Sequence, residues 1–96
     1  MSDEQEYEVF KFPVKKQPKV IRRKLGKHKA YAQLNTDNTI EIDTKFKGKK
    51  ELILYLHEYF HFLFPEFTED QVIKHSEMTA DFLWKQHYRK VDNEEI

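Results

Sequence analysis

The sequence predicts an α+β fold in which a small antiparallel sheet of about three strands is followed by two helices. Residues 19–43 alternate apolar and polar side chains between clusters of turn-forming residues, as the strands of a small sheet do. Residues 49–64 then hold a dense apolar run without glycine or proline, and a second helical stretch begins after Thr68. A chain of 96 residues can close one core, so a single domain is expected.

The ends of the chain are predicted to be flexible tails. Residues 1–6 and 89–96 are mostly polar and charged and offer little to bury. Residues 7–14 alternate only in part, and Pro13 would confine them to an edge strand or an extended arm. The folded domain is therefore expected over residues 7–88.

Three segments predict strands. Residues 19–25 and 30–34 read as two strands with a turn around Gly26. The turn-forming residues 35–38 separate the second strand from Thr39–Asp43, so these two strands should form a hairpin.

The strand Thr39–Asp43 is expected to be half-buried. Ile40 and Ile42 share one face, which should turn to the core. The polar residues, Glu41 among them, share the opposite face and should meet solvent.

Residues 49–64 predict the first helix. It is apolar on nearly all sides, which is typical of a central, buried helix. Pro65 ends it, because the residue before a proline is pushed out of the helical backbone.

The second helix is predicted from Thr68 to about Tyr88. Thr68 and Gln71 have the spacing of a capping box, and Glu69 and Asp70 complement the helix dipole in the first turn. The face turned toward the core is predicted to consist of Ile73, Glu77, Ala80 and Trp84.

The amino-acid composition limits which ligands, metal-binding groups and cellular locations are expected. Basic and acidic residues balance at 17 each, so no net field favours a nucleic acid or an anionic membrane. Cysteine is absent, so a metal would have to be held by imidazole and carboxylate groups. The N-terminus does not resemble a secretory signal and no apolar run is long enough to span a bilayer, so a cytoplasmic location is expected, within a host cell or a virion if the chain is phage-encoded.

The first helix carries a motif with metal-binding spacing, since residues 57–61 read His-Glu-Tyr-Phe-His. His57 and His61 lie one turn apart on one face, so both imidazoles can reach one zinc ion. Glu58 stands beside them and can accept a proton from metal-bound water. The alternative is that both histidines are ordinary helix residues at the mouth of the core.

Zinc needs a third protein ligand if one position is to stay open. Glu77 is the first candidate, because a carboxylate in the predicted core-facing stripe needs compensation. Asp81 follows four residues later and could accept a hydrogen bond from a ligand histidine. His75 is the second candidate ligand, and a solvated Glu77 paired with a lysine is the alternative.

These residues resemble the motifs of the zincin metallopeptidases. His57-Glu58-x-x-His61 looks like the zincin motif, and Glu77 with Asp81 resembles the Glu-x-x-x-Asp of the gluzincin branch. The order of a small sheet and two ligand-bearing helices is similar to the minimal domains of ImmA/IrrE-like and SprT-like proteins and of short phage metallopeptidase-like proteins. The matching motifs span residues 57–81, about a quarter of the chain.

The resemblance implies zinc on His57, His61 and Glu77, with Glu58 as the catalytic base. It also implies that the strand Thr39–Asp43 lines the cleft and receives a peptide by strand addition. The family's oxyanion-stabilising group has no counterpart in the motif, and the candidates for it are Tyr31, Tyr55 and Tyr59.

Three classes of function remain open. The first is zinc-dependent hydrolysis of a peptide bond in a peptide or protein substrate. The alternative is a zinc-stabilised, catalytically inactive structural or interaction module, such as a component of a phage or virion. A nucleic-acid module would use eight basic residues between Lys15 and Lys29, which a solvated strand face explains more simply. Exposed Phe side chains also leave room for a second copy or a partner protein.

Overall fold

The computed structural model describes residues 16–26 and 31–91 and confirms an α+β fold in which a three-stranded sheet precedes two helices. The elements are β1 (Val20–Arg23), β2 (Ala32–Leu34), β3 (Ile40–Asp43), α1 (Gly48–Leu63) and α2 (Glu69–Lys85). The predicted strand or arm at residues 7–14 and the two predicted tails, apart from residues 89–91, lie outside the described residues.

The sheet is mixed, with the strand order β1-β3-β2. β2 and β3 form the predicted antiparallel hairpin, in which Ala32 is opposite Ile42 and Leu34 is opposite Ile40. β1 runs parallel to β3, so the prediction of an all-antiparallel sheet was wrong for this strand. β3 lies between the other two strands, so β1 and β2 occupy opposite edges of the sheet and do not form a hairpin with each other.

The central strand β3 is buried on both faces. Ile40 and Ile42 are 1% and 0% exposed, and they form the core with Ala32 and the partly buried Leu34, Leu54 and Tyr55. The prediction that the polar face of this strand meets solvent was wrong, because Glu41 and Asp43 are also buried. A central strand has a neighbour on each side, and polar groups from the adjoining segments cover these carboxylates.

α1 begins and ends within one residue of the predicted helix, and the chain turns at Pro65. It is central, since it contacts β2 and β3 as well as α2. It is not the buried helix that was predicted. Its buried residues are Glu51 and Glu58, whereas its apolar side chains are only partly covered.

α2 starts with the predicted capping box. Thr68 Oγ1 accepts a hydrogen bond from the Gln71 backbone N–H at 3.2 Å, and Gln71 Oε1 accepts one from the Thr68 N–H at 2.8 Å. The helix ends at Lys85 instead of near Tyr88. Among the described elements it contacts α1 and none of the strands.

The buried face of α2 differs from the predicted one. Val72, Ser76 and Ala80 are each 0% exposed, whereas Ile73 is 38% exposed and Glu77 is exposed. The small side chains of Ser76 and Ala80 are the ones that permit close approach to α1. The buried stripe is therefore displaced by one residue from the predicted stripe over its first two turns, which leaves Glu77 in solvent.

No helix within the described part of the chain is both long and apolar enough to cross a membrane.

Candidate metal centre

His57 and His61 lie on α1, one turn apart, and their rings face each other. The ring centroids are 4.9 Å apart and the ring planes meet at 64°. The two side chains are 18% and 29% exposed, so the pair lies at the border between the core and solvent. The helical spacing of four residues produces this proximity, as predicted.

A carboxylate from the start of α2 joins the pair. Glu69 Oε2 lies 3.1 Å from His57 Nε2, and Glu69 Oε1 lies 2.9 Å from His61 Nε2. One potential ligand atom from each of the three residues lies within 4.8 Å of the other two. Both rings thus present the same nitrogen to a single carboxylate.

The link between the helices places Glu69 there. Phe64 and Phe67 stack with ring centroids 4.6 Å apart, and the Phe67 N–H donates to the Phe64 carbonyl at 2.9 Å. The capping box at Thr68 then begins α2 immediately before Glu69. A short turn of this kind returns the chain beside the last turns of α1, so the first acidic residue of α2 meets the histidines.

The three side chains could hold a divalent metal such as zinc. Two imidazole nitrogens and a carboxylate oxygen are ligands that zinc accepts. At metal–ligand distances of about 2.0–2.1 Å, adjacent donor atoms of a tetrahedral site lie roughly 3.3 Å apart. The observed nitrogen–oxygen separations of 3.1 and 2.9 Å involve two different Glu69 oxygens and also match hydrogen bonds, whereas one donor atom from each residue lies within 4.8 Å of the other two. Hydrogen bonds would require a proton on Nε2 of both rings, whereas metal binding would require neither proton.

Glu58 lies beside this group and is 8% exposed. Within residues 16–26 and 31–91 its carboxylate has no hydrogen bond or ion pair. Burial raises the pKa of Glu58 above its usual value, and the charge of Glu69 raises it further, while His57 and His61 lower it. The site therefore combines three convergent ligand groups with one buried, unpaired acid.

The other predicted site residues lie elsewhere. Glu77 is exposed and does not belong to the group of three. The oxygens of Asp81 face Lys49 Nζ at 2.9 Å and Lys85 Nζ at 3.3 Å rather than a ligand histidine. These lysines hold the pKa of Asp81 below its usual value.

The second candidate ligand, His75, is exposed and packs against Phe67, with ring centroids 5.3 Å apart. Of the tyrosines considered for oxyanion stabilisation, Tyr59 donates its hydroxyl to Gln17 Oε1 at 2.8 Å. Tyr31 packs against Phe46 at 4.8 Å between centroids. None of these contacts assigns an oxyanion group.

From the sequence, Glu69 was predicted only to complement the dipole of the second helix, and its place beside the histidines was missed. The available signal was the short link between the two helices, which requires the start of α2 to lie near the end of α1. Spacing along one helix can identify the His57 and His61 pair, but a ligand from a second helix depends on the path of the connection.

Strand addition at Thr39–Asp43 does not fit this sheet. β3 is hydrogen-bonded to β1 on one side and to β2 on the other, so it has no free edge. Among the described strands, the outer edges belong to β1 and β2.

The basic segment is partly neutralised. Arg22 Nε lies 3.1 Å from Glu51 Oε2, and Arg23 Nε lies 2.8 Å from Glu41 Oε2. These ion pairs reduce the charge that β1 could offer to a nucleic-acid backbone.

Searches with the sequence and the structure found no matching family model, no matching curated protein and no matching solved structure. The resemblance to zincins therefore depends on the motif residues alone.

Proposed function

We propose that the chain is a zinc-dependent, metallopeptidase-like hydrolase that holds its ion through His57, His61 and Glu69. The observation that carries this proposal is the convergence of both Nε2 atoms on one carboxylate, at 3.1 and 2.9 Å. Glu77 is the competing third ligand, because the resemblance implies it, and the two carboxylates can be tested as a pair.

His57, His61 and Glu69 would hold the zinc ion, which would supply a Lewis acid for hydrolysis of a peptide bond. Glu58 is the group of this chain that would take up and pass on a proton. Its position beside His57 and the absence of another partner among the described side chains support this role.

Metal binding is tested by titrating zinc into protein that has been stripped of metal by a chelator. We expect one ion per chain and a loss of affinity greater than roughly 100-fold in His57→Ala and in His61→Ala, because changes behind a ligand already cost about 10- to 100-fold. Calorimetry measures both stoichiometry and affinity. Failure to bind zinc in the absence of chelator would reject the metal centre.

Glu69→Gln and Glu77→Gln form a matched pair on α2. Each removes one negative charge from an exposed side chain. We expect Glu69→Gln to weaken zinc binding strongly and Glu77→Gln to leave it nearly unchanged. The opposite result would assign the third ligand to Glu77 and would reject Glu69.

Catalysis is tested separately with Glu58→Gln. This variant should bind zinc like the natural chain but should lose hydrolysis of a fluorogenic peptide library, because an amide cannot accept the proton. Equal cleavage by the natural chain and the variant would reject the base role.

A second function is a zinc-stabilised structural or interaction module without catalysis. It is favoured by the shallow position of the site, since the Glu69 side chain is 60% exposed and offers little wall for a substrate pocket. In that case zinc would raise the melting temperature, while the natural chain would cleave no peptide in the library.

A further inference from the structure

A large cavity lies away from the candidate metal centre. Its volume is about 930 Å³, and it is bounded by β1, the first turns of α1, the end of α2 and residues 88–91. None of the three metal-site residues lines it. This volume is within the range of small-molecule sites, roughly 300–1,000 Å³.

The charge of this cavity is strongly positive. Its lining includes four cationic side chains, which are Arg22, Lys47, Arg89 and Lys90. One carboxylate, Glu51, opposes them, which leaves a net charge of plus three among the lining residues. Glu51 Oε2 already forms ion pairs with Arg22 Nε at 3.1 Å and with Lys90 Nζ at 3.2 Å.

The Lys47 side chain is available to a ligand. Within the described part of the chain this side chain forms no hydrogen bond or ion pair, and the residue is exposed. It also precedes α1, whose first turn has no side-chain cap, so the backbone N–H groups beside it add positive potential.

The rest of the wall is aromatic and aliphatic. Tyr55, Trp84 and Tyr88 contribute rings, while Leu52 and Leu83 contribute aliphatic surface. The Arg89 guanidinium lies 3.5 Å over the centre of the Trp84 ring, so the cation covers one face of that ring. An apolar wall beside a cationic rim matches a ligand that has both a ring and a negative charge.

We infer that this cavity binds a small anion that carries an aromatic ring, with the ring against the stacked Arg89 and Trp84 side chains and the negative group near Lys47. The inference is independent of the zinc site, since the two sets of residues do not overlap. The head group can be a phosphate or a carboxylate, because both are complementary to a lysine.

The test uses the full chain and follows the indole N–H resonance of Trp84 by NMR, which is unambiguous because the chain has one tryptophan. Phenyl phosphate and phenylacetate are titrated in parallel, with inorganic phosphate and benzyl alcohol as the two separated halves. We expect a saturable shift with at least one aromatic anion and weaker binding of either half. The inference would be overturned if neither aromatic anion produced a saturable shift. It would also be overturned if inorganic phosphate bound as tightly as the aromatic anions.

Lys47→Glu and Lys50→Glu are the matched variants. Both residues are exposed lysines at the start of α1, but only Lys47 lines the cavity. Lys47→Glu should weaken binding by about tenfold, since the reversed charge costs roughly 1.4 kcal/mol or more at close range. Lys50→Glu should change it little, and an equal loss in both variants would show general charge attraction and reject the site.

Discussion

β3 and α1 each bury two carboxylates, but both of those on β3 are paired, whereas one of the two on α1 is not. On β3, Glu41 accepts hydrogen bonds from Arg23 Nε at 2.8 Å and from Gln33 Nε2 at 2.6 Å. Asp43 accepts them from the backbone N–H groups of Lys45 at 2.9 Å and Leu25 at 3.1 Å. On α1, Glu51 Oε2 faces Arg22 Nε at 3.1 Å and Lys90 Nζ at 3.2 Å, whereas Glu58 has no such partner among the described residues.

The pKa values diverge accordingly. Hydrogen bonds from Arg23 and then Gln33 lower the pKa of Glu41, and backbone donors lower that of Asp43, whereas burial raises that of Glu58. Paired carboxylates stabilise a fold, while an unpaired one weakens it and remains available for a ligand or a proton. Glu41 and Asp43 therefore stabilise the sheet, whereas Glu58 fits a chemical role.

The largest expected effect concerns the apolar residues, which are fully buried on β3 but only partly covered on α1. Ile42→Ala on β3 should reduce the free energy of unfolding by about 2–5 kcal/mol, because Ile42 is 0% exposed and leaves a cavity. Phe60→Ala on α1 is the control, since Phe60 is only partly covered and should cost less despite its greater size. Urea unfolding measures both, and a larger loss at Phe60 would contradict the contrast in packing between β3 and α1.

The next effect concerns the paired carboxylate. Asp43→Ala should destabilise the chain at neutral pH, because two backbone donors lose their acceptor. The folded pKa of Asp43 lies below its unfolded value, so its contribution is present above the unfolded pKa and disappears as the pH falls through the folded pKa. Unfolding of both proteins across acidic pH should therefore show convergence at low pH, and a constant difference would contradict the pairing.

The smallest effect has the opposite sign. In metal-free protein, Glu58→Gln should stabilise the fold slightly at neutral pH, since it removes a charge that burial disfavours and that no hydrogen bond compensates among the described residues. The folded pKa of Glu58 lies above its unfolded value, so the destabilising contribution is absent at low pH and develops as the pH rises from the unfolded pKa through the folded pKa. Thermal unfolding against pH would detect this, and a variant that is less stable at neutral pH would indicate a structural partner for Glu58.

The sequence alone determined the features that depend on neighbours along the chain. The ends of α1, the capping box at Thr68 and the hairpin between β2 and β3 follow from local backbone preferences and were predicted correctly. The facing pair His57 and His61 follows from the helical repeat in the same way.

Only the tertiary structure decided what depends on contacts between distant segments. It made β3 the central strand, turned Ser76 instead of Glu77 toward α1, and brought Glu69 to the two histidines. The periodicity of a helix or strand indicates which residues share a face. Which face is covered depends on how the helices and strands pack against each other. A carboxylate on the second helix can therefore be chosen as a partner for the first only after the turn between them is known.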